Sequence, residues 1–202
     1  SSFSFPKVAV AVFAIALATI AVAEEQASDE FTRVDYLDAL DSGLYEEAGI
    51  AAKARLQKAI EEGKVQELST VPLLEDLAQV QRLSGDYATA IQNYELAVEI
   101  IEAQRDMLDI DLTGPLQGLG KTYLESGRAD LAIDQLERSL HVRSVNEGPH
   151  SIAQAETLEV MADAYRSMGD TSDASDAAER MYLLYVRRSS EKSLEVVPVL
   201  LK

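Results

Sequence analysis

The amino-acid sequence contains an internal repeat with a period of 42 residues. Four glycines follow one another at steps of 42, and an alanine lies five residues after each of them. These repeat-defining positions are Gly43, Ala48, Gly85, Ala90, Gly127, Ala132, Gly169 and Ala174. A fixed period of roughly 20–50 residues is typical of stacked arrays of small units, which bury their apolar faces only against one another.

Apolar residues at helical spacing precede each glycine. Leu116, Leu119 and Tyr123 lie three and four residues apart, so a helix places them on one face. The repeat-defining residues upstream of the glycines are Leu77, Leu119, Gly120, Tyr123 and Tyr165. The alanines that follow the glycines begin a second periodic stretch. The sequence therefore predicts units that each consist of a helix, a glycine-centred turn and a second helix.

These motifs resemble the tetratricopeptide repeat. That repeat has the pattern W-x2-L-G-x2-Y, followed by A-x3-F, and residues 116–123 read L-x2-L-G-x2-Y, with Leu in place of Trp. The segment 146–153 is similar to the corresponding part of the longer units found in kinesin light chains and in many bacterial proteins. The resemblance implies an all-α fold, a right-handed α–α superhelical solenoid, in a protein that binds other proteins.

The repeat register predicts how the chain is divided. A degenerate first unit covers residues 31–66, and complete units cover 67–110, 111–152 and 153–193. One period after Leu158 lies Leu200, so residues 194–202 are predicted to start a further, truncated unit. We expect such an array either to be part of a longer chain or to be closed by a partner. A short natural tail is the alternative.

The N-terminal segment has the composition of a secretory signal peptide. Lys7 precedes an uncharged apolar run at residues 8–20, and Ala-Val-Ala at 21–23 ends that run before two glutamates. A basic lead, a short apolar stretch and an Ala-x-Ala exit are typical of a signal peptide. A membrane-spanning helix usually needs a longer stretch, about 20 residues.

We therefore predict that residues 1–23 are a cleaved signal peptide and that residues 24–30 form a linker. The protein is then exported, to the periplasm or to the outside of a bacterial cell. In the alternative, residues 8–23 are retained as a membrane anchor, and the repeats face the periplasm.

Charge and composition argue against several functions. The chain has 35 acidic and 18 basic residues, a net charge of −17, which disfavours a nucleic-acid partner. It has no cysteine, and its two histidines, His141 and His150, lack the spacing of metal ligands. Residues 114–122 differ from a phosphate-binding loop in the position of the first glycine. We predict a protein without catalytic, cofactor-binding or metal-binding residues, and therefore not an enzyme.

The resemblance also indicates where a partner would bind. In stacked helical arrays the first helix of each unit lines an extended concave surface. Residues one helical turn from the core positions are expected to face this groove. The predicted partner-binding residues are Glu75, Gln79, Arg82, Gln117, Lys121, Leu124, Glu159, Asp163 and Arg166.

Our leading hypothesis is a non-enzymatic scaffold that binds a protein or peptide in this groove. One alternative is a membrane-anchored accessory subunit of an envelope complex, which requires that residues 8–23 are retained. Another is the docking arm of a larger enzyme whose catalytic part lies beyond Lys202. The sequence predicts no particular oligomeric state.

Overall fold

The computed structural model describes residues 33–200, with side chains from residue 36 to residue 189. These residues form eight α-helices and three short 3-10 helices, without any strand. The α-helices are α1 (Arg33–Asp41), α2 (Tyr45–Glu61), α3 (Val71–Leu83), α4 (Tyr87–Gln104), α5 (Thr113–Glu125), α6 (Ala129–Glu147), α7 (Ala155–Met168) and α8 (Thr171–Leu200). The expected all-α fold is confirmed. The chain divides into two compact units, the first ending at Val65 and the second beginning at Gln66.

The first compact unit contains the helices α1 and α2. Gly43 lies in the turn between them with a φ of 71°, which is the left-handed region. Ala48 on α2 is fully buried, and the guanidinium group of Arg55 lies 5.8 Å from the ring centroid of the buried Tyr36 on α1. The small residues on α2 allow α1 to approach it closely.

The second compact unit consists of three helical hairpins, α3–α4, α5–α6 and α7–α8. The turn of each hairpin contains one glycine with positive φ: Gly85 (81°), Gly127 (79°) and Gly169 (81°). Glycine has no Cβ and adopts this conformation without steric cost. At the second turn the amide of Arg128 donates to the carbonyl of Tyr123 at 2.8 Å, which satisfies an acceptor that the end of α5 leaves open.

Apolar side chains fill the spaces within and between these hairpins. Those that are almost completely buried include Leu74, Ile101, Leu112, Leu116, Leu136 and Leu158. Two glycines of α5 allow large side chains to approach the helix backbone. A Cβ atom at Gly118 would lie 2.3 Å from the ring of Tyr94, and one at Gly120 would lie 2.5 Å from Leu136. Complete burial of such a side chain contributes about 1.5–3 kcal/mol.

At the loops that lead into α3 and α5, the first and second junctions of the repeat register, a side-chain amide from the end of the same hairpin's second helix bonds to the backbone of the loop. Gln104 of α4 donates to the carbonyl of Gln66, and Asn146 of α6 donates to the carbonyl of Leu108 at 2.7 Å. In both cases 38 residues separate donor and acceptor. Each acceptor lies two residues before a 3-10 helix, at Leu68–Thr70 and at Ile110–Leu112. The junctions therefore follow the 42-residue register, as the hairpins do.

The last helix is the longest of the eight described α-helices. Helix α8 extends over 30 residues, from Thr171 to Leu200, and the boundary predicted between residues 193 and 194 lies inside it. No glycine occurs in this stretch to end the helix. The predicted boundary therefore has no counterpart in the secondary structure, and the assignment of residues 194–202 to a further unit stays a prediction.

The predicted signal peptide and linker, residues 1–23 and 24–30, lie outside the described residues. Within the part of the chain that the structure describes, no helix is sufficiently long and apolar to cross a membrane.

Candidate functional site

The first helices of the three hairpins, α3, α5 and α7, contact one another in succession. All nine predicted partner-binding residues lie on these helices. The half-buried ones are Glu75, Gln79, Arg82, Gln117, Lys121 and Leu124, and the exposed ones are Glu159, Asp163 and Arg166. We call the surface formed by these nine residues, together with Glu125 and Glu156, the first-helix face.

Two ion pairs connect neighbouring helices across this face. Arg82 of α3 pairs with Glu125 of α5, and the Nζ atom of Lys121 on α5 lies 2.5 Å from a carboxylate oxygen of Glu156 on α7. The side chain of Arg82 is only 12% exposed, whereas that of Glu156 is 60% exposed. Partly exposed pairs add little to stability, about 1 kcal/mol or less. Their main consequence is a fixed arrangement of charge over three consecutive helices.

The carboxylate of the pair between α5 and α7 remains ionised at neutral pH. The hydrogen bond from Lys121 lowers the pKa of Glu156 below the usual value of 4.5, and burial opposes this shift. The first-helix face therefore presents a carboxylate here at every pH near neutrality.

A tyrosine of a second helix also reaches the first-helix face. Tyr94 of α4 extends across α5 at Gly118, where a Cβ atom would collide with its ring. Burial raises the pKa of Tyr94 to about 12, and its hydroxyl group interacts with Arg82 and with the charges of Glu75 and Glu125. The hydroxyl group therefore stays neutral and can donate a hydrogen bond.

The α7 end of the face is more open and more acidic. Asp163 pairs with Arg166, one helical turn away on the same helix, and both side chains are more than half exposed. Glu159 lies between them and Glu156 on the exposed side of α7. Solvated side chains of this kind can rearrange around a bound segment at little cost.

The sequence analysis did not identify three contributors to this face, Glu125, Glu156 and Tyr94. A search for opposite charges on neighbouring first helices points to the two glutamates. Gly118, a helix-interior glycine one period before the larger Val160, is the signal for a large side chain that crosses α5.

The described residues also include the segments that were compared with catalytic or metal sites. Among them no group of three or more His, Asp or Glu residues could hold a metal ion. His141 and His150 are both exposed, on α6 and on the loop that follows it. In the segment that resembles a phosphate-binding loop, Lys121 pairs with Glu156, and the buried Thr122 donates to the carbonyl of Gly118 at 2.7 Å.

Helical hairpins that stack at a fixed period, with a polar face along their first helices, define a helical-repeat protein of the interaction-scaffold class. The chain belongs to the tetratricopeptide repeat family. Sequence patterns described as tetratricopeptide repeat match at residues 71–104 and 112–182. The resemblance noted from residues 116–123 and the solenoid fold are thereby confirmed, and proteins of this fold serve as scaffolds for other proteins.

Solved structures with the same fold include relatives of kinesin light chains. BtubC (BKLC) from P. vanneervenii is 16% identical, with a TM-score of 0.71 over 90% of this chain and 74% of that one. A protein of Podosopora anserina, described as a kinesin light chain with nearly identical TPR-like repeats, is 12% identical, with a TM-score of 0.67 over 91% and 88% of the two chains. At these identities the likeness concerns the fold alone. A comparison with curated protein sequences gave no match.

Proposed function

We propose that this chain is a non-enzymatic scaffold that holds an extended segment of another protein against the first-helix face. The observation that carries the proposal is the pair of cross-helix ion pairs, Arg82–Glu125 and Lys121–Glu156. They make the polar side chains of α3, α5 and α7 one continuous surface. An extended segment that crosses three helices can contact many of these side chains at once.

The charges of the first-helix face favour a partner segment with basic and polar side chains. The face has five acidic residues, Glu75, Glu125, Glu156, Glu159 and Asp163, and three basic ones, Arg82, Lys121 and Arg166. The acidic surplus lies mainly on α7, where the side chains are most exposed. Complementary charge raises the association rate and excludes acidic competitors.

Selection from a phage-displayed library of random peptides tests this proposal. Selected peptides, labelled with a fluorophore, are titrated with the wild-type chain and with Glu159→Lys. We expect this charge reversal to weaken the binding of basic peptides by about tenfold or more, because it places a cation on α7, where the acidic surplus of the face lies. Glu159→Gln removes the charge without reversing it and should weaken binding less. Circular dichroism of both variants verifies that the helices are intact.

The matched control is Glu179→Lys, the same type of charge reversal on a second helix. Glu179 is exposed on α8 and lies outside the first-helix face. Its variant should bind the selected peptides as the wild type does. The proposal is wrong if selection yields no peptide, or if the peptides bind wild type, E159K and E179K equally well.

We also propose that the protein is exported and acts in the periplasm or outside the cell. The support for this is the basic lead, the apolar run at residues 8–20 and the Ala-Val-Ala sequence at 21–23. Mass spectrometry of the protein isolated from cell fractions tests the proposal. We expect a periplasmic or secreted form whose first residue is Glu24. A form in the membrane fraction that retains residues 8–23 would support the anchored alternative instead.

A further inference from the structure

Three exposed apolar side chains lie within about one turn of helix α8. Tyr182, Leu183 and Tyr185 are 64%, 55% and 54% exposed. At the position of Leu183, α6 has His141 and α4 has Glu99, and both are exposed polar residues. An apolar residue at this position is therefore particular to α8 among the second helices of the three hairpins. We call Tyr182, Leu183 and Tyr185 the apolar stripe.

The stripe continues a side of the second helices that is buried in the two preceding hairpins. Tyr182 corresponds to Val98 on α4 and to Leu140 on α6, which are 8% and 7% exposed. Helix α4 contacts α5, and α6 contacts α7, in each case the first helix of the following hairpin. The described residues contain no hairpin after α8. A helix that packs on the stripe therefore continues the kind of interface that already joins the hairpins.

The stripe is separate from the cleft at the third junction, the loop that leads into α7. This open cleft has a volume of about 370 Å³ and lies between residues 149–152 and the side chains of Leu184 and Arg188 on α8. No residue of the stripe lines it. Tyr182 and Leu184 are two residues apart on one helix, so they point in nearly opposite directions. A partner that covers the stripe leaves the cleft open.

We propose that the apolar stripe is a dimer interface, at which α8 packs antiparallel against α8 of a second copy of this chain. An interface between two identical surfaces has twofold symmetry and must be complementary to itself. With the symmetry axis between positions 183 and 184, Tyr182 lies opposite Tyr185 of the second copy. The Leu183 side chains of the two copies then meet beside the axis.

The order of the residues favours a second copy as the occupant. Residues 182–185 are Tyr-Leu-Leu-Tyr, which reads the same in both directions, so an antiparallel helix receives the same side chains that it presents. Paired aromatic side chains add to the stability of such a contact. A further stacked hairpin does not account for Leu183, because α4 and α6 stack on their neighbours with Glu99 and His141 at this position. A twofold helix pair does account for it.

The exposed area is sufficient for a weak dimer. Since an aromatic side chain buries about 150–250 Å², the exposed fractions of the stripe amount to roughly 300 Å² in each copy. A stable interface needs about 800 Å² from each partner. Neighbouring turns can supply the rest, because α8 continues to Leu200, past Ser189, the equivalent of the last residue of α6.

We expect a dissociation constant on the order of 10 µM for an interface of this size. At protein concentrations well below this value the chain is monomeric, and the stripe is in solvent. The net charge of −17 makes two copies repel each other. Salt screens this repulsion, so the dimer should become tighter as the salt concentration is raised.

Sedimentation equilibrium of the full chain, at concentrations on both sides of the expected constant, tests the proposal. Leu183→Glu should weaken the dimer by about tenfold or more, because it places two carboxylates beside the symmetry axis. The matched control is Val145→Glu on α6, where the original side chain is also 55% exposed but lies outside the stripe. This variant should associate as the wild type does. Circular dichroism verifies that both variants keep their helices.

Cross-linking of single-cysteine variants tests the symmetry itself. The chain has no cysteine, so Leu183→Cys introduces the only thiol. A short bismaleimide should join two copies of L183C at least about tenfold faster than two copies of V145C, because only the first pair of thiols is held together in the dimer. A head-to-tail contact gives no such preference, since position 183 then faces a different surface of the second copy.

Four outcomes would overturn the proposal. One is a chain that stays monomeric at every concentration, in which case the stripe is left in solvent or takes a different partner. Another is association that L183E and V145E leave equally strong, which would place the contact elsewhere in the chain. Growth beyond a dimer would indicate head-to-tail contacts. The last is equal cross-linking of L183C and V145C. The first-helix face is tested separately, by peptide binding to E159K.

Discussion

Helices α6 and α8 are second helices of consecutive hairpins, and they share one register but differ in their surroundings. Within the described residues α6 packs against both α5 and α7. Helix α8 packs against α7 and against the 3-10 helix Ile152–Gln154, which precedes α7. Leu140 on α6 is 7% exposed, and its equivalent on α8, Tyr182, is 64% exposed. The repeat position alone therefore does not determine burial, because a neighbouring hairpin must cover the residue.

The residues that face their own hairpin do not show this difference. Val142 on α6 and its equivalent Leu184 on α8 are both buried. The two helices therefore have the same inner face and different outer faces. Polar positions differ as well, with Tyr185 in place of Arg143 and Arg188 in place of Asn146.

Substitution of Gly120 should produce the largest effect, because α6 packs most tightly there. A Cβ atom at Gly120 would lie 2.5 Å from Leu136 on α6, so Gly120→Val must displace either the side chain or the helix. We expect a loss of about 3 kcal/mol in the free energy of unfolding, measured by urea denaturation. The exposed Ala103→Val on α4 should change it by less than about 0.5 kcal/mol. Similar values for the two variants would mean that α5 and α6 do not pack this closely.

Truncation of the outer faces tests the comparison directly. We expect Leu140→Ala to cost about 2–3 kcal/mol, because it leaves a cavity between α6 and its neighbours. Tyr182→Ala removes a larger side chain but should cost less than about 0.5 kcal/mol, because that side chain is mostly in solvent. Urea denaturation of both variants provides the measurement. If Tyr182→Ala is the more costly of the two, the outer face of α8 is covered in solution.

The junction side chains should show a smaller contrast. Asn146 donates to the carbonyls of Leu108 and Val142, so Asn146→Ala should cost about 1 kcal/mol in the free energy of unfolding. Arg188→Ala, at the equivalent position of α8, should cost less than about 0.5 kcal/mol. Equal losses would indicate that Arg188 bonds to the loop before α7 as Asn146 bonds to the loop before α5.

The smallest effect on stability is expected for the ion pair between Lys121 of α5 and Glu156 of α7. The pKa of Glu156 is lower in the folded chain than in the unfolded one, so ionisation of this group stabilises the fold above the usual value of 4.5. The contribution is lost as the pH falls through the lower, folded pKa. The free energy of unfolding decreases at acidic pH, and we expect Glu156→Gln to make this decrease smaller by less than about 1 kcal/mol. Urea denaturation of the wild type and of the variant at a series of pH values measures this change.

Much of the fold could be predicted because the repeat pattern occurs four times in the sequence. The glycines at steps of 42 lie in turns between helices, and the alanine after each of them is buried. These glycines and alanines can be recognised in the sequence, because a left-handed turn and a close helix contact each require a particular small residue at one position. Residues that recur at the same step, such as Leu116 and Leu158, also appear in equivalent buried places.

The candidate sites could be predicted only in part. The first-helix face was expected from the register, but its ion pairs depend on which side chain of the next helix lies opposite, as Arg82 and Glu125 show. The cleft at the third junction has no sequence motif. It lies between the loop after α6 and helix α8, which are more than 30 residues apart in the chain. Its lining includes Arg188, at the position where α6 has Asn146.

The helical-repeat class, the positions of the turns and the inner face of each hairpin can be predicted from the amino-acid sequence. These depend on local backbone preference and on periodicity, and both are properties of neighbouring residues. Packing between the hairpins sets which outer faces are covered, which charges meet across helices and where a cleft remains open. Those outcomes depend on contacts between units, and equivalent positions such as Leu140 and Tyr182 acquire different environments once the units are stacked.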